Sequence, residues 1–413
     1  MKTFDQKLIS DLLTPEAVRE RCHEVYDMAV AEELEHFRFH HENLQLATDL
    51  VIREIEKNYP DGKVPFHSRW RHFELGKYQL WDKIAASLTK LSNDEIARRR
   101  IDLAFISVLL DAGAGAHWRY KDTVTGLNYN RSEGLAIASI RLMETGALSR
   151  FGKDDPIRVD ASALRELSAD RLAKEFQVSE ANPLIGIKDR THLLNRLGKI
   201  LQTETDIFER GDEFRPGNIF DYLAKYRVNG ALPAREILIA LLIGIGQIWP
   251  DGECLGDVAL GDVGYHPAIR RDNITNGVLP FHKLSQWMAY SLIEPLVDAG
   301  VKVVDLDGLT GLAEYRNGGL FIDTGTLSLR QPKQANAVHD PKSQLIVEWR
   351  ALTVSLLDKL AESIRQNMGK NAVTLPLASV LQGGTWIAGR QIAKKLRADG
   401  GPPINIKSSG TIF

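Results

Sequence analysis

Three side chains with complementary chemistry stand together in the stretch LAEYRNGGLF, residues 312–321: the carboxylate of Glu314, the phenol of Tyr315 and the guanidinium of Arg316. Two glycines and an apolar run follow them. A carboxylate can act in acid–base catalysis or stabilise a developing positive charge, and glycine lets the backbone approach a ligand closely. Alternatively, Glu314 and Arg316 form a structural ion pair, and Gly318 and Gly319 begin a helix-packing contact. The stretch taken alone favours this alternative.

The stretch VPFHSRWRHFE, residues 64–74, alternates positive charge with aromatic rings. This combination suits the binding of a phosphate or of a flat polar ligand. A loop whose aromatic side chains anchor it to the core, with its arginines in solvent, is an equally good interpretation. The residues of this candidate binding segment are Phe66, His67, Arg69, Trp70 and Arg71.

Two further stretches carry candidate site residues. GDVALGDVGYHP offers Asp257 and Asp262, although aspartate and glycine are also the ordinary residues of turns. PFHKLSQW offers His282 and Lys283 at a predicted helix start. A cation is mildly disfavoured at that positive end of a helix, which suggests that a ligand holds Lys283 there. Exposure to solvent would remove most of that cost and is the alternative.

The composition restricts the classes of protein to which the chain can belong. The chain has 413 residues, of which 44% are apolar and 26% charged, and its net charge is −2. A general nucleic-acid or membrane-surface binder is usually more basic, and no apolar run reaches the roughly 18 residues of a membrane helix. The cysteines, Cys22 and Cys254, form no CxxC pair, and no phosphate-loop, GxSxG or complete dinucleotide motif is present. We therefore expect a cytoplasmic protein that binds no nucleic acid and no membrane and that holds no metal and no cofactor.

Hydrophobic periodicity and end signals predict a mainly α-helical protein with few short strands. The segment 250–281 differs, because it is rich in Gly, Asp and Pro and has little periodicity, and long irregular segments are often functional. A polar break at 149–161 marks a predicted lobe boundary. The predicted helices are 14–34, 42–59, 94–115, 132–148, 161–178, 188–210, 234–248, 282–300, 343–367 and 384–398, with a strand at 301–306.

Short stretches spread over nearly the whole chain carry a resemblance to a known family. They include PFHSRWRHFE, SVLLDAGAG, LPFHKLSQWMAYSLIEPL, GLAEYRNGGLF, VEWRALTVSLLDKL and GGTWIAGR. In this combination the chain is identified as a member of the uracil-catabolism family of fungi and bacteria. The resemblance implies a role in a uracil-degrading pathway distinct from the reductive one, alongside a cyclohydrolase-like ring opener and a uracil phosphoribosyltransferase. Association with those enzymes is a further expectation.

A second, more distant resemblance concerns FHKLSQWMAYSL and LTGLAEYRNGGLF. Their order and spacing are similar to those of the queuosine-salvage nucleotide N-glycosylases, which look like helical DNA-glycosylase folds. Those proteins carry a lysine near one helix start and an acid–Tyr–Arg motif that enters another helix. On this resemblance Glu314 takes the place of the reacting acid and Lys283 that of the lysine. This chain has Glu where the relatives have Asp, which moves the carboxylate by about one bond.

Together the two resemblances imply one reaction: hydrolysis of the N-glycosidic bond that joins ribose to urea once the pyrimidine ring has been opened. The resemblances thus imply a small nucleotide-like substrate, ribosylurea or its 5′-phosphate, and the products urea and ribose or ribose 5-phosphate. Such a reaction needs a carboxylate near the anomeric carbon, the role given to Glu314, and a second acid that orients water or holds ribose hydroxyls, the role given to Asp262. The remaining expected roles are proton donation to urea by His282 or Tyr315, phosphate binding by Lys283, Arg316, Arg69 and Arg71, apolar walls from Trp70 and Trp287, and further substrate contacts from Phe66, His67 and Asp257.

Two other functions compete with this one. An amidohydrolase would cut the ureido C–N bond and release ammonia or carbamate, usually with a metal cluster or an activated Cys or Ser. A non-catalytic nucleotide-binding or scaffold subunit would hold an intermediate without turnover. For the architecture we expect an N-terminal helical lobe at 1–155 and a DNA-glycosylase-like helical lobe at 156–413 that carries the active site. The cleft is expected to be lined by 66–71, 257–287 and 314–318.

Overall fold

The computed structural model describes residues 2–75, 78–115, 117–249 and 252–407, without the side chains of residues 2–4 and 75. Most of this part of the chain is helical, which confirms the predicted mainly α-helical class. Within it, no helix combines the length and the apolar character that crossing a bilayer requires. The helices are α1 Lys2–Asp11, α2 Pro15–Val30, α3 Leu44–Asn58, α4 Leu80–Ala85, α5 Asn93–Leu109, α6 Arg131–Glu144, α7 Ala161–Glu166, α8 Ala169–Glu175, α9 Ile187–Thr203, α10 Thr205–Phe208, α11 Ile219–Leu223, α12 Ala234–Ile245, α13 Lys283–Asp298, α14 Tyr315–Asp323, α15 Gln344–Met368, α16 Leu377–Val380 and α17 Trp386–Leu396.

The strands are two to four residues long and pair two by two. The pairs β8/β13 and β15/β16 are parallel, and the other pairs are antiparallel. The strands are β1 Phe37–Phe39, β2 Glu74–Leu75, β3 Tyr78–Gln79, β4 Tyr120–Lys121, β5 Asn128–Tyr129, β6 Glu209–Arg210, β7 Glu213–Phe214, β8 Ala231–Pro233, β9 Glu253–Leu255, β10 Val258–Gly261, β11 Val263–Tyr265, β12 Val278–Pro280, β13 Lys302–Val304, β14 Leu327–Leu329, β15 Val338–His339 and β16 Asn405–Ile406.

The structure departs from the predicted elements at several points. The predicted helix 188–210 ends as α9 at Thr203, and the short helix α10 and the strand β6 follow it. The predicted helix 161–178 is broken into α7 and α8, because Leu167 is extended and the Ser168 hydroxyl caps the new helix by accepting the N–H of Arg171 at 3.1 Å. The segment predicted as irregular contains the pairs β9/β10 and β11/β12. Helix α14 begins directly after Glu314 and is not among the predicted helices.

The chain divides into two compact units, each assembled from separated segments. The first unit contains residues 2–67, Glu253–Gln286 and Asp305–Lys407, and the second contains Ser68–Gly252 and Trp287–Val304. The chain crosses from the first unit to the second between His67 and Ser68. The predicted lobe boundary at residue 155 stays a prediction. The chain passes between the units again within α13.

The first unit is organised around α15. Nearly the whole circumference of this helix is buried between Leu345 and Ile364, as expected for the central helix of a core. Helices α2, α3 and α14 pack against it. Even Glu348 on this helix is fully buried, where it accepts the backbone N–H of His36 at 3.1 Å and lies 3.3 Å from the ring of His266.

The second unit has α5 at its centre. Apart from Arg100, this helix is buried from Ala97 to Leu109, and α6, α9 and the turn at residues 216–218 pack on it. Asp102 on α5 is fully buried and binds the fully buried Arg215 at 2.6 Å, and it also accepts the N–H of Gly217 at 2.7 Å. An internal ion pair therefore fixes the turn against the helix.

Candidate active site

Glu314 caps the N-terminus of α14. Its backbone is extended, with φ −124° and ψ 159°, and its two carboxylate oxygens accept the N–H of Arg316 at 2.7 Å and that of Asn317 at 2.6 Å. Serine, threonine, asparagine and aspartate are the usual residues here, since short side chains reach the unpaired N–H groups easily. A glutamate that caps with both oxygens is held in one orientation, and Glu314 stays partly exposed.

The environment of Glu314 shifts the pKa of its carboxyl group upward. Burial raises the pKa of this carboxyl group above its ordinary value, and the two N–H groups of α14 and the charge of Lys283 oppose that shift without outweighing it. A carboxyl group with a raised pKa holds a proton closer to neutral pH and can release it again, as acid–base catalysis requires. Lys283, the first residue of α13, therefore acts electrostatically on Glu314.

A buried amide joins the start of α13 to the segment that leads into α14. The side chain of Gln286 donates to the hydroxyl of Thr310 at 2.8 Å and accepts the N–H of the same residue at 3.4 Å. Both residues are fully buried. The two helix starts that carry Lys283 and Glu314 are thereby linked within the first unit.

Asp262 is fully engaged by protein donors. Arg350 of α15 binds both of its oxygens, at 2.8 Å and 2.7 Å, and the N–H of Lys283 donates to one of them at 3.0 Å. Burial alone would raise the pKa of Asp262, but Arg350 and this N–H hold the pKa below its ordinary value. The carboxylate therefore anchors α13 to α15, and its predicted role toward water or ribose stays a prediction.

His282 is a buried residue in an unusual backbone conformation. Its φ is +49°, a left-handed value that is uncommon outside glycine, asparagine and aspartate. Its Nε2 lies 2.9 Å from the carbonyl of Leu12, and among the described residues its Nδ1 has no hydrogen-bond partner. Burial lowers the pKa of this imidazole. A neutral ring that donates from Nε2 carries its lone pair on Nδ1, so it is better suited to accept a proton than to give one to a leaving group.

Tyr315 and Arg316 open α14 side by side. The guanidinium of Arg316 lies 5.0 Å from the centre of the Tyr315 ring and donates to the carbonyl of Gly400 at 2.9 Å. Both side chains are half-buried. Arg316 is thus tied to the chain that follows α17, and its predicted contact with a phosphate is untested.

Close helix packing accounts for the glycines after Arg316. A Cβ at Gly318 would stand 2.6 Å from the hydroxyl of Thr353 and 2.8 Å from Nε1 of Trp349, both on α15. A Cβ at Gly319 would stand 3.2 Å from Pro403. The packing contact that the sequence alone favoured therefore explains both positions without a ligand.

His67 belongs to the first unit and is held in place by the C-terminal part of the chain. Its N–H donates to the carbonyl of Ala378 at 2.9 Å, and its Nδ1 lies 2.9 Å from Oε1 of Gln382. Phe66, beside it, is half-buried. His67 and Glu314 are thus both anchored within the same unit.

The arginines of the candidate binding segment lie in the second unit and are paired with acids there. Arg69 is fully buried and binds Asp111 at 2.9 Å. Arg71 binds Glu74 at 2.8 Å and also pairs with Glu294. A phosphate would have to compete with these carboxylates, so a structural role is sufficient to explain both arginines.

The tryptophans predicted as walls are core residues of the second unit. The indole N–H of Trp70 donates to the carbonyl of Ser291 at 2.8 Å, and the guanidinium of Arg100 stacks 4.2 Å from its ring centre. Trp287 is buried with its ring edge-on to His72. Their predicted contact with substrate stays a prediction.

Asp257 lies in the turn between β9 and β10 and is exposed. It follows Gly256, whose φ of +59° fits a tight turn. The turn chemistry that the sequence offered as an alternative is sufficient to explain this residue.

Sequence reasoning missed several residues that fix the site. Arg350 lies 88 positions from its partner Asp262, and Gln382 lies 315 positions from His67, so no local pattern marks either pair. Asn317 carries the N–H that caps Glu314. No group of three or more His, Cys, Asp or Glu side chains within the described ranges is arranged to hold a metal ion.

Comparison with known proteins places the chain in a family. A family model described as a protein of unknown function, DUF1688, matches residues 11–413. This chain belongs to the DUF1688 family. The match covers Glu314, Lys283 and the segments that hold them.

Two known proteins of similar length resemble the chain from end to end. Protein urg3 of Schizosaccharomyces pombe is 38% identical over 419 residues, which cover 98% of this chain and 99% of that protein. Uracil catabolism protein 4 of Lachancea kluyveri is 36% identical over 432 residues, which cover 96% of this chain and 97% of that protein. Identity at this level over the full length shows a common fold.

Proposed function

We propose that this DUF1688 protein acts in uracil catabolism and hydrolyses the N-glycosidic bond of a ring-opened uridine derivative, ribosylurea or its 5′-phosphate. The name of its relative in Lachancea kluyveri supports the pathway. In the reaction the oxygen of water bonds to C1 of the ribose, the C1–N bond breaks, and the nitrogen gains a proton and leaves as urea. The other product is ribose or ribose 5-phosphate.

The observation that carries the proposal is the carboxyl group of Glu314. Two N–H groups fix its orientation, burial raises its pKa, and the charge of Lys283 acts on it. Positive charge develops on the sugar as the bond breaks, and a fixed carboxylate stabilises that charge or takes the proton of the attacking water. Glu314 supplies that group.

The neighbouring side chains have complementary roles in this proposal. The phenol of Tyr315 donates a hydrogen bond to the departing urea nitrogen, a task for which the neutral His282 is less suited. Lys283 and Arg316 bind the 5′-phosphate when it is present. The pair Asp262–Arg350 holds the backbone of Lys283 in place.

The positions of Lys283 and Glu314 also support a glycosylase-like architecture for the first unit. Lys283 is the first residue of α13, and the Glu–Tyr–Arg motif runs from the cap of α14 into its first turn. This is the arrangement that the resemblance to queuosine-salvage N-glycosylases implies. We therefore propose for this chain both a DNA-glycosylase-like helical fold and the hydrolysis of an N-glycosidic bond.

Product analysis tests the proposal. Purified protein is incubated separately with ribosylurea and with its 5′-phosphate, and urea, the free sugar and ammonia are all quantified. Uridine is a control compound that should remain intact. Urea and sugar in equal amounts are expected from at least one of the two. Ammonia without urea would assign an amidohydrolase, and tight binding with no product from either compound would favour a non-catalytic subunit.

A further inference from the structure

The backbone of His282 is strained in a place where no solvent relieves it. Within the described ranges, the non-glycine residues with a positive φ are Glu32, Arg131, Gln177, Asn229, His282 and Asp305. His282 is 1% exposed, whereas the others are exposed or half-buried. A left-handed backbone in a residue with a Cβ persists only where the surrounding structure enforces it, and such residues cluster at functional sites. The contacts of His282 therefore show what the strained conformation achieves.

The left-handed backbone brings three successive N–H groups onto Asp262. The N–H groups of Phe281 and His282 both donate to the backbone carbonyl of Asp262 at 3.0 Å, and the N–H of Lys283 donates to its carboxylate, also at 3.0 Å. In an extended chain successive N–H groups point to opposite sides and cannot meet at one residue. A left-handed residue turns the chain so that they converge, as they do in the backbone nests that bind anions.

Side chains on both sides hold this arrangement in place. Arg350 binds both carboxylate oxygens of Asp262, and its guanidinium lies 4.0 Å from the centre of the Phe281 ring. The imidazole of His282 is bonded through Nε2 to the carbonyl of Leu12 at 2.9 Å. A carbonyl oxygen only accepts, so the ring donates from Nε2. The strained residue is thus fixed through its ring as well as through its backbone.

His282 is also the residue at which α13 begins, because its carbonyl accepts the N–H of Gln286 at 2.8 Å. A residue in this position usually has an extended backbone, as Glu314 has at the start of α14. The left-handed value instead sets the direction in which α13 leaves Asp262, and with it the place of Lys283, the first residue of the helix. Burial raises the pKa of Glu314, and the charge of Lys283 opposes that rise.

We propose that His282 is a positioning residue of the active site, whose left-handed backbone gathers three N–H groups on Asp262 and so sets the place from which Lys283 acts on Glu314. Its effect on turnover rests on the proposed N-glycosidase function, whereas the strain and the convergence of the N–H groups do not. What the site requires at this position is a backbone conformation. A residue that adopts a positive φ easily should therefore replace His282 better than one that does not.

Melting temperatures test the backbone requirement without any substrate. His282→Gly and His282→Ala both remove the ring and its bond to Leu12, but only glycine adopts a positive φ without strain. Ser343→Gly and Ser343→Ala give the ordinary difference at a helix start, because Ser343 precedes α15 with φ −64° and makes no side-chain cap. The glycine variant should melt above the alanine variant at residue 282, by at least about 2 °C more than at residue 343.

Two results would overturn the inference. One is a difference between the glycine and alanine variants at residue 282 that is no larger than the difference at residue 343. The other is a crystal structure of the natural protein with a negative φ at His282 or without the three N–H groups on Asp262. The crystal structure decides the question even if neither variant of His282 folds.

The pH profile of urea release tests the link to Glu314. The charges of Lys283 and Arg316 lower the pKa of Glu314 against the effect of burial. If Lys283 is displaced, that pKa rises, and the pH below which kcat falls should move upward. His282→Ala should therefore lose about tenfold or more in kcat and shift its profile to higher pH, the direction in which Lys283→Met should also shift it.

His282→Gly should recover most of the kcat that the alanine variant loses and should return the pH profile toward that of the natural protein. Equal losses in the two variants, or an unshifted profile in His282→Ala, would show that His282 acts by packing alone and would overturn this link. If the natural protein releases no urea, the proposed function fails, while the melting temperatures and the crystal structure still decide the role of the His282 backbone.

Discussion

Replacing Glu314 by glutamine separates its chemical role from its structural one. The amide keeps the shape of the carboxyl group and removes its charge. One of the two N–H groups of α14, now bonded at 2.6 Å and 2.7 Å, would face the NH₂ of the new side chain and lose its acceptor. The variant therefore loses half of the cap and the whole of the carboxylate.

The two losses have different sizes. Loss of a helix cap costs about 0.5–2 kcal/mol, so the free energy of unfolding should fall by about 1 kcal/mol. A domain that starts from about 5–15 kcal/mol remains more than about 99% folded after that loss. Loss of an acid–base or charge-stabilising group slows a reaction by about 100-fold or more, which corresponds to about 2.7 kcal/mol in the activation barrier. The fall in activity should therefore far exceed anything that unfolding can explain.

Initial rates of urea release are measured on the same samples as the free energy of unfolding. Unfolding is followed with heat or with a chemical denaturant other than urea. Thr14→Ala is the matched control, since the Thr14 hydroxyl caps α2 by accepting the N–H of Ala17 at 3.2 Å. It should lose about 1 kcal/mol of stability and keep full activity. Our reasoning is refuted if Glu314→Gln turns over within about threefold of the natural rate, or if Thr14→Ala loses as much activity.

Three further substitutions test other parts of the structure. Asp102→Asn removes the fully buried carboxylate that Arg215 binds at 2.6 Å and leaves Glu95, at 2.9 Å, as its remaining close acid, so the free energy of unfolding should fall by about 1–3 kcal/mol in denaturant titrations. His282→Asn should weaken the loss of stability between about pH 7 and pH 5, because burial lowers the pKa of His282 and the unfolded chain, with an ordinary pKa of about 6.5, takes up the proton first. Gly384→Ala should lower the melting temperature, because its Cβ would stand 2.3 Å from the side chain of Val51.

Each of these substitutions has a control with the same chemistry at an unconstrained position. Asp212→Asn breaks an ion pair to Arg150 whose acid is 84% exposed, and should change stability by less than about 1 kcal/mol. His192→Asn removes an exposed imidazole and should leave the pH dependence nearly unchanged. Gly113→Ala meets no atom within 4 Å and should be neutral. Equal effects of a test substitution and its control would contradict the corresponding argument.

The sequence predicted the helices because their cause is local. Apolar periodicity marks α3 and α9, and the Thr14 cap with proline behind it marks the start of α2. The break at Leu167 depends on Ser168, which caps the next helix inside an otherwise continuous pattern. Serine also occurs in helix interiors, so its presence there does not mark a break. Short strands such as β11 and β12 have too few residues for their alternation to stand out.

The site was predictable only where its residues are neighbours in sequence. The adjacency of Glu314, Tyr315 and Arg316 is visible directly, but the cap is not, because glutamate is an unusual residue for that position. The partners of Asp262 and His67 come from distant segments, and only the folded chain brings them together. The division into two units built from separate segments could not be predicted for the same reason, because composition carries no information on long-range contacts.

In the proposed reaction the C1–N bond, and not a bond of the urea group, is broken. Ribosylurea and its 5′-phosphate, each labelled with ¹³C at the ureido carbonyl, are incubated with the protein and followed by ¹³C NMR. We predict that the label from at least one of them appears in free urea, matched by an equal amount of ribose or ribose 5-phosphate. Label in carbamate or bicarbonate, or label that stays in both starting compounds, would contradict the account.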